Sequence, residues 1–189
     1  MAEVLSPLKS KCVAGHHGAS EKSGLKMGTR ALSGLWQIAG WDDFESAAQP
    51  VLSSLGLKDG GTFRIAQHAD GATAWRIAPD RILIETADPN LENAPELMKL
   101  DLSHARSVIT LEGPSSRDLL SQLVAIDVTP MAFKPGEFFQ TGIHHVGVLI
   151  HCLNSDRFDI LVPGTWASSV WEALYENALP HGVETLEVA

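Results

Sequence analysis

DLSHARSVITLEGPSSRDLL, residues 101–120, continues through KPGEFFQTG at 134–142 and closes with SDRFDILVPGTWASSVWEAL at 155–174. Ala105–Glu112 reads as a strand of alternating apolar residues, and Gly113-Pro114 turns the chain. Ser115 is placed to cap a helix, with Asp118 three residues on, the spacing of a capping box. Leu119, Leu120, Leu123 and Val124 form the apolar face of that helix. Three strands follow, over Glu137–Gly142, Val146–Leu153 and Arg157–Val162, and Pro163-Gly164 breaks the last. Trp166, Val170, Trp171, Leu174 and Tyr175 then recur at helical spacing, with Pro180 as the stop. The order is strand, helix, three strands, helix.

Upstream, the same order is predicted again. Leu35–Ala39 reads as a strand. Asp42 is placed to cap a helix with Phe44, Ala47, Ala48, Val51, Leu52 and Leu55 on one face, ended by Gly56 and kinked or split by Pro50. Phe63–Gln67 is a short strand. Thr73–Ala78 and Arg81–Thr86 flank the turn pair Pro79-Asp80. Asn90–Leu100 is predicted as a helix, with Pro95 against it. Gly40 answers Gly113, Gly61 answers Gly136, and Arg81-Ile82-Leu83-Ile84 answers Arg157-Phe158-Asp159-Ile160, at a nearly constant offset of roughly 73–76 positions. The expected fold is α+β: two similar β-α-β-β-β-α half-domains with mixed or antiparallel sheets, over 29–100 and 101–189. Residues 1–28, rich in Ser, Gly, Lys and His, are expected to form an extended N-terminal arm ordered by a partner or by the chain's own surface.

The 189 residues carry a net charge of −9, with 44% hydrophobic and 20% charged residues. That composition is globular, and without a basic run it argues against nucleic-acid binding, which needs clustered Lys and Arg. No apolar run approaches the ~20 residues of a membrane span, and MAEVLSPLKSKC lacks a signal-peptide core. The expectation is a cytoplasmic protein with Cys12 and Cys152 as free thiols, Cys152 a small buried hydrophobe.

Candidate chemistry is sparse. On a strand, His145 and His151 share a face but stand ~20 Å apart, while His144 points the other way, so one metal cannot join them. His16-His17 reads as a solvated loop. Ser103-His104-Ala105-Arg106 keeps polar groups beside a strand; it reads as a cap or strand entry with a solvent-facing arginine, in preference to a vestigial cofactor contact. A Gly-rich phosphate fingerprint and a G-x-S-x-G nucleophile elbow are both missing. No catalytic, cofactor-binding or metal-binding residue is assigned. Large aromatics often anchor interfaces. Trp36, Trp41 and Trp166 are the candidates for a partner interface. Trp166 and Trp171, five apart on a helix, cannot share one narrow face, so one belongs to the core.

Asp101-Leu102-Ser103-His104, Gly113-Pro114, Gly136 with Gln140-Thr141, and Asp156-Arg157-Phe158 occur in an order that resembles the aminomethyltransferase family, the folate-binding T-protein of glycine cleavage. The resemblance implies a carboxylate on the strand after the Gln-Thr segment, in a pair of Asp residues before Leu-Ile. Here Gly147-Val148 precede Leu149-Ile150, and neither can act as a base. The chain also ends near the close of that family's first domain pair. Ser6-Pro7-Leu8, the Trp75–Arg81 stretch and the close from Asp156-Arg157-Phe158 to Trp171 are more similar still to the gamma-subunit family of heterotetrameric sarcosine oxidase.

That resemblance implies a T-protein-like fold without catalysis of its own, in a complex with alpha, beta and delta subunits. The complex would oxidise sarcosine to glycine, reduce oxygen to hydrogen peroxide, and pass the methylene to tetrahydrofolate or release it as formaldehyde. FAD, FMN, NAD, zinc and tetrahydrofolate are expected on the partner subunits and none in this chain. The alternative is a free-standing tetrahydrofolate-dependent one-carbon enzyme, in which Glu112, Glu137 or Asp159 would have to supply the acid. A folate-binding assembly factor of the iron–sulfur repair type would need a Cys that Lys134-Pro135-Gly136-Glu137-Phe138 lacks.

Overall fold

The computed structural model describes residues 7–9, 11–18, 23–58, 61–87 and 94–186. Along the chain lie β1 (Gly15–His17), β2 (Leu25–Arg30), β3 (Leu35–Ala39), α1 (Phe44–Ser54), β4 (Gln67–Ala69), β5 (Ala72–Ala78), β6 (Arg81–Thr86), β7 (Met98–Asp101) and β8 (Arg106–Glu112). They continue with α2 (Ser116–Leu123), β9 (Phe138–Ile143), β10 (Val146–Asn154), β11 (Arg157–Pro163), α3 (Ala167–Ala178) and β12 (Val183–Thr185). Two compact units result: the described residues of Met1–Ala31 with His104–Ala189, and those of Leu32–Ser103. Among the described residues no helix is long and apolar enough to cross a membrane.

The first unit is a seven-stranded sheet in the order β1-β12-β2-β8-β11-β10-β9. Alternation aims Ile109 and Leu111 of β8, Phe158 and Ile160 of β11 and Ile150 of β10 at one face, where they pack with Leu119 and Leu120 of α2 and Val170, Trp171 and Leu174 of α3. Each such side chain removed from water contributes about 1.5–3 kcal/mol. Trp171 belongs to this core, whereas Trp166, on the turn before α3, is 54% exposed.

Among the described residues of 1–28, β1 and β2 form strands, and the compact units divide after Ala31 and after Ser103. Leu25 and Met27 of β2 point into the same core, and β2 pairs antiparallel with β8, Met27 opposite Leu111. β12, which the sequence did not announce, runs parallel to β2, and β1 runs antiparallel to β12. The N-terminal strands are thus held by the C-terminal one, a non-local pairing that period-two alternation of only two residues could not signal. Of the Ser6-Pro7-Leu8 start, Ser6 lies outside the described residues and Leu8 is fully buried in the core.

The second unit is a five-stranded sheet, β4-β5-β6-β3-β7, with α1 packed on one face through Phe44, Ala48, Val51 and Leu52 against Ile38, Ala74, Ile82 and Ile84. The N-cap residue is Asp43, not Asp42, and it adopts the left-handed conformation at φ 64° without a side-chain cap hydrogen bond. Its C-terminus is a Schellman motif: the Leu57 N–H donates to Leu52 O at 2.9 Å, the Gly56 N–H to Ser53 O at 3.0 Å, and Gly56 takes φ 73°. Pro50 does not split α1. It lies on the exposed face, where water can satisfy the carbonyl left without a donor.

The helix predicted over Asn90–Leu100 is overturned: residues 90–93 lie outside the described ones, and Met98–Asp101 form β7, paired with β3. The short strand expected at Phe63–Gln67 begins instead at Gln67.

The internal repeat is visible in register. Strand order β3-β6-β5-β4 matches β8-β11-β10-β9. Ala39 pairs with Arg81 and the Gly40 N–H donates to Asp80 O at 3.1 Å; Glu112 pairs with Arg157 and the Gly113 N–H donates to Asp156 O at 2.9 Å. A register shift falls between Arg76 and Ala78 in one half and between Cys152 and Asn154 in the other, each just before a two-residue turn. Bulges at equivalent positions are structural features of a fold, not accidents of packing. The halves differ at their ends, since α3 closes the second and β7 the first.

The capping box expected at Ser115 is not made. The Ser115 N–H donates to Gly24 O at 3.1 Å and the Ser116 hydroxyl donates to Asp156 O at 3.0 Å, so the turn ties β2 and β11 to α2. Gly113 has φ 127°, and a Cβ there would meet Gly24 O at 2.5 Å, so this crossing requires glycine.

Candidate functional site

The hairpin β9–β10 carries the position where the resemblance implies a carboxylate. Ile143 pairs with Val146 across a two-residue loop, His144-His145, whose φ angles are 46° and 66°. Positive φ at both central positions is the primed turn that suits the strand twist. The two histidines are therefore exposed turn residues, not strand residues on opposite faces as the sequence suggested; only His151 of that set lies on β10, and it is buried. Beyond the turn, Gly147 is exposed with nothing within 4 Å of where a Cβ would stand, and Val148 is buried in the helix-side core. An acid is absent from both positions.

The three acids that could have replaced it are committed elsewhere. Glu112 ends β8 on the surface, 3.8 Å from Arg157. Glu137 accepts the Lys134 N–H at 2.8 Å across a turn. Asp159 is 1% exposed on β11, where Arg30 of β2 donates Nε–H to its Oδ2 at 2.5 Å. Asp159 pairs in register with His151 of β10 on one side and Thr110 of β8 on the other, and Gly28 of β2 follows Thr110. A polar row thus crosses the sheet face opposite α2 and α3. A charge-assisted bond this short balances the carboxylate's charge within the fold.

Ser103 belongs to the second unit, where its hydroxyl accepts the Leu35 N–H at 3.0 Å and donates to Asp101 Oδ1 at 2.6 Å. Arg106 opens β8 in the first unit and is half-buried, not solvent-facing as expected; desolvation lowers its pKa. His16 and His17 lie on β1, not in a solvated loop: the His16 ring Nδ1 is 2.8 Å from the Ser23 hydroxyl, and His17 meets the Tyr175 ring edge-on at 5.6 Å. Among the described residues no three His, Cys, Asp or Glu side chains converge.

Both cysteines are free and buried. Burial pushes the Cys12 thiol up to about 11. Burial also raises Cys152, against the opposing charge and hydrogen bond of Arg117.

Of the three interface candidates, Trp36 packs half-buried against the core of the second unit, on the α1 side of its sheet. Trp41, between β3 and α1, is 82% exposed, and Trp166 is exposed on the first unit.

No family model matches the chain, and no curated protein matches it. Solved structures do. A chain of the heterotetrameric sarcosine oxidase from Corynebacterium sp. U-96, in complex with pyrrole 2-carboxylate, superposes with a TM-score of 0.81 at 19% identity, covering 98% of each chain. The glycine cleavage system aminomethyltransferase T from Bartonella henselae superposes with a TM-score of 0.58 at 17% identity, over 94% of this chain and 56% of that one. At these identities the likeness is one of fold, and the chain has the T-protein-like fold shared by that sarcosine oxidase chain and that aminomethyltransferase.

Proposed function

We propose that this chain is the non-catalytic gamma subunit of a heterotetrameric sarcosine oxidase in the cytoplasm, assembled with alpha, beta and delta subunits. The complex demethylates sarcosine oxidatively to glycine, with oxygen reduced to hydrogen peroxide and the methylene passed to tetrahydrofolate or released as formaldehyde. FAD, FMN, NAD, zinc and tetrahydrofolate reside on the partners.

The observation that carries this reading is the end-to-end likeness to a chain of such a complex, 98% of each chain at a TM-score of 0.81. The aminomethyltransferase likeness spans 56% of that chain. Gly147 and Val148 support the non-catalytic part, because a general base or an amine counter-ion needs an ionisable group there. The role left is to bury apolar surface against cofactor-bearing subunits, which typically takes more than about 1,000 Å² per stable interface. Trp41 and Trp166 are the side chains assigned to that contact, as large exposed aromatics commonly carry interface energy.

Titrating the purified chain with tetrahydrofolate, FAD and FMN tests the cofactor assignment. The expected result is no saturable binding of any of the three. Micromolar binding of tetrahydrofolate, with turnover of an N-methyl amine by the chain alone, would replace this reading with the one-carbon enzyme.

A further inference from the structure

Arg106 stands apart from the other arginines. The chain has seven. Arg30 is held by Asp159, Arg76 by Glu45, and Arg81 and Arg157 lie near Asp80 and Glu112. Arg117 donates to backbone carbonyls, and Arg64 has a partner as well. Among the described residues the Arg106 guanidinium has no hydrogen-bond or ion-pair partner, although it is half-buried and its chain is strongly acidic.

Its surroundings account for this isolation. Arg106 shares the sheet face of Val108 and Thr110, and its cross-strand neighbour is Pro163, which offers no ionisable group. Arg30 pairs with Val108, two residues along, and takes up Asp159. Asp159 pairs with Thr110, four residues from Arg106 and therefore ~13 Å along the strand. Asp159, buried on this face, is thus spent on the other arginine. A half-desolvated cation left without a counter-charge costs stability, and its fork of donors fits a planar carboxylate in two parallel bonds.

We propose that Arg106 is a recognition group for a carboxylate supplied from outside the chain, held at the Pro163 end of the sheet face opposite α2 and α3. A lone guanidinium in a chain of net charge −9 matches a carboxylate better than a more highly charged phosphate. The inference does not depend on the assembly reading, since a small organic acid or an acidic side chain of another protein presents the same group.

The test is NMR of the 15N-labelled full chain, following arginine Nε–Hε resonances during titration with acetate and glutarate against chloride at equal ionic strength. The Arg106 resonance is expected to shift saturably with both acids and not with chloride, while Arg81 and Arg157 remain unmoved. Arg106→Gln is expected to lower glutarate affinity at least tenfold while leaving the melting temperature unchanged or higher, because it removes an uncompensated cation. A second arm repeats the titration on the chain bound to its partner proteins. Glutarate response retained there identifies a small acid as the source; response lost, with Arg106→Gln releasing the chain, identifies a partner carboxylate. Equal shifts in chloride, or an Arg106→Gln variant that melts lower with no carboxylate response in wild type, would overturn the proposal.

Discussion

Arg117 is a side chain outside the apolar core whose loss should cost the first unit heavily. From α2 it donates Nε–H to Ser155 O at 2.7 Å and Nη1–H to both Val128 O at 2.5 Å and Phe133 O at 3.1 Å. Its Nη2 lies 3.6 Å from Cys152 Sγ, and its guanidinium carbon stands 5.1 Å from the centre of the Phe158 ring. One residue thus fastens the β10–β11 turn, the loop after α2 and the entry to β9. Hydrogen bonds from a charged donor are worth about 1.5–3 kcal/mol each when buried. The site is partly exposed, so about 1 kcal/mol per carbonyl is the appropriate scale, and the ring contact adds about 0.5–1 kcal/mol. Arg117→Ala should therefore destabilise the chain by about 3–4 kcal/mol. Arg117→Lys, which keeps the charge but cannot reach three carbonyls at once, should lose roughly half as much. Equilibrium urea unfolding followed by circular dichroism reads this as a lowered midpoint at constant slope. A loss below about 1 kcal/mol for the alanine variant would refute the idea that Arg117 organises these segments.

Three further outcomes follow from the geometry. Gly147→Asp places a carboxylate in open space and should change stability by less than about 1 kcal/mol, whereas Val148→Asp buries one in the core and should cost more than about 3 kcal/mol, both read by urea unfolding. The Cys12 thiol, raised to about 11 by burial, contributes stability that is intact below its unfolded value of 9.0 and lost as pH rises towards 11. A Cys12→Ala chain should therefore lose less stability than wild type between pH 9 and 11, and in the native protein iodoacetamide should label neither cysteine at pH 8 until denaturant is added.

What the sequence disclosed depended on how local each signal is. Strands β3 and β6 have the bounds that alternation and flanking turn residues imply, and the duplication was readable because Gly40 and Gly113 mark equivalent strand ends. β7 was misread because all four of its residues are exposed, so no alternation marks it; its conformation comes from pairing with β3. β1, β2 and β12 are strands only through one another and β8, and nothing in a Ser-, Gly- and Lys-rich stretch announces a partner near residue 183. The lack of an acid at Gly147-Val148 was legible because it required only identity at a position. The Arg30–Asp159 pair was not, since its partners are 129 residues apart. A charged residue inside the apolar run Phe158–Val162 was the one local sign of it.

The measurement that bears most directly on the scaffold role is co-expression of alpha, beta and delta sarcosine oxidase subunits with and without this chain. Native mass spectrometry then reads the assembly, and peroxide formation from sarcosine reads the activity. The account predicts one copy of this chain in a four-subunit complex, and a several-fold loss of both intact complex and activity when it is omitted. The Trp41→Ala, Trp166→Ala double variant should fall between these limits. An active complex of unchanged mass and yield without the chain would contradict the account.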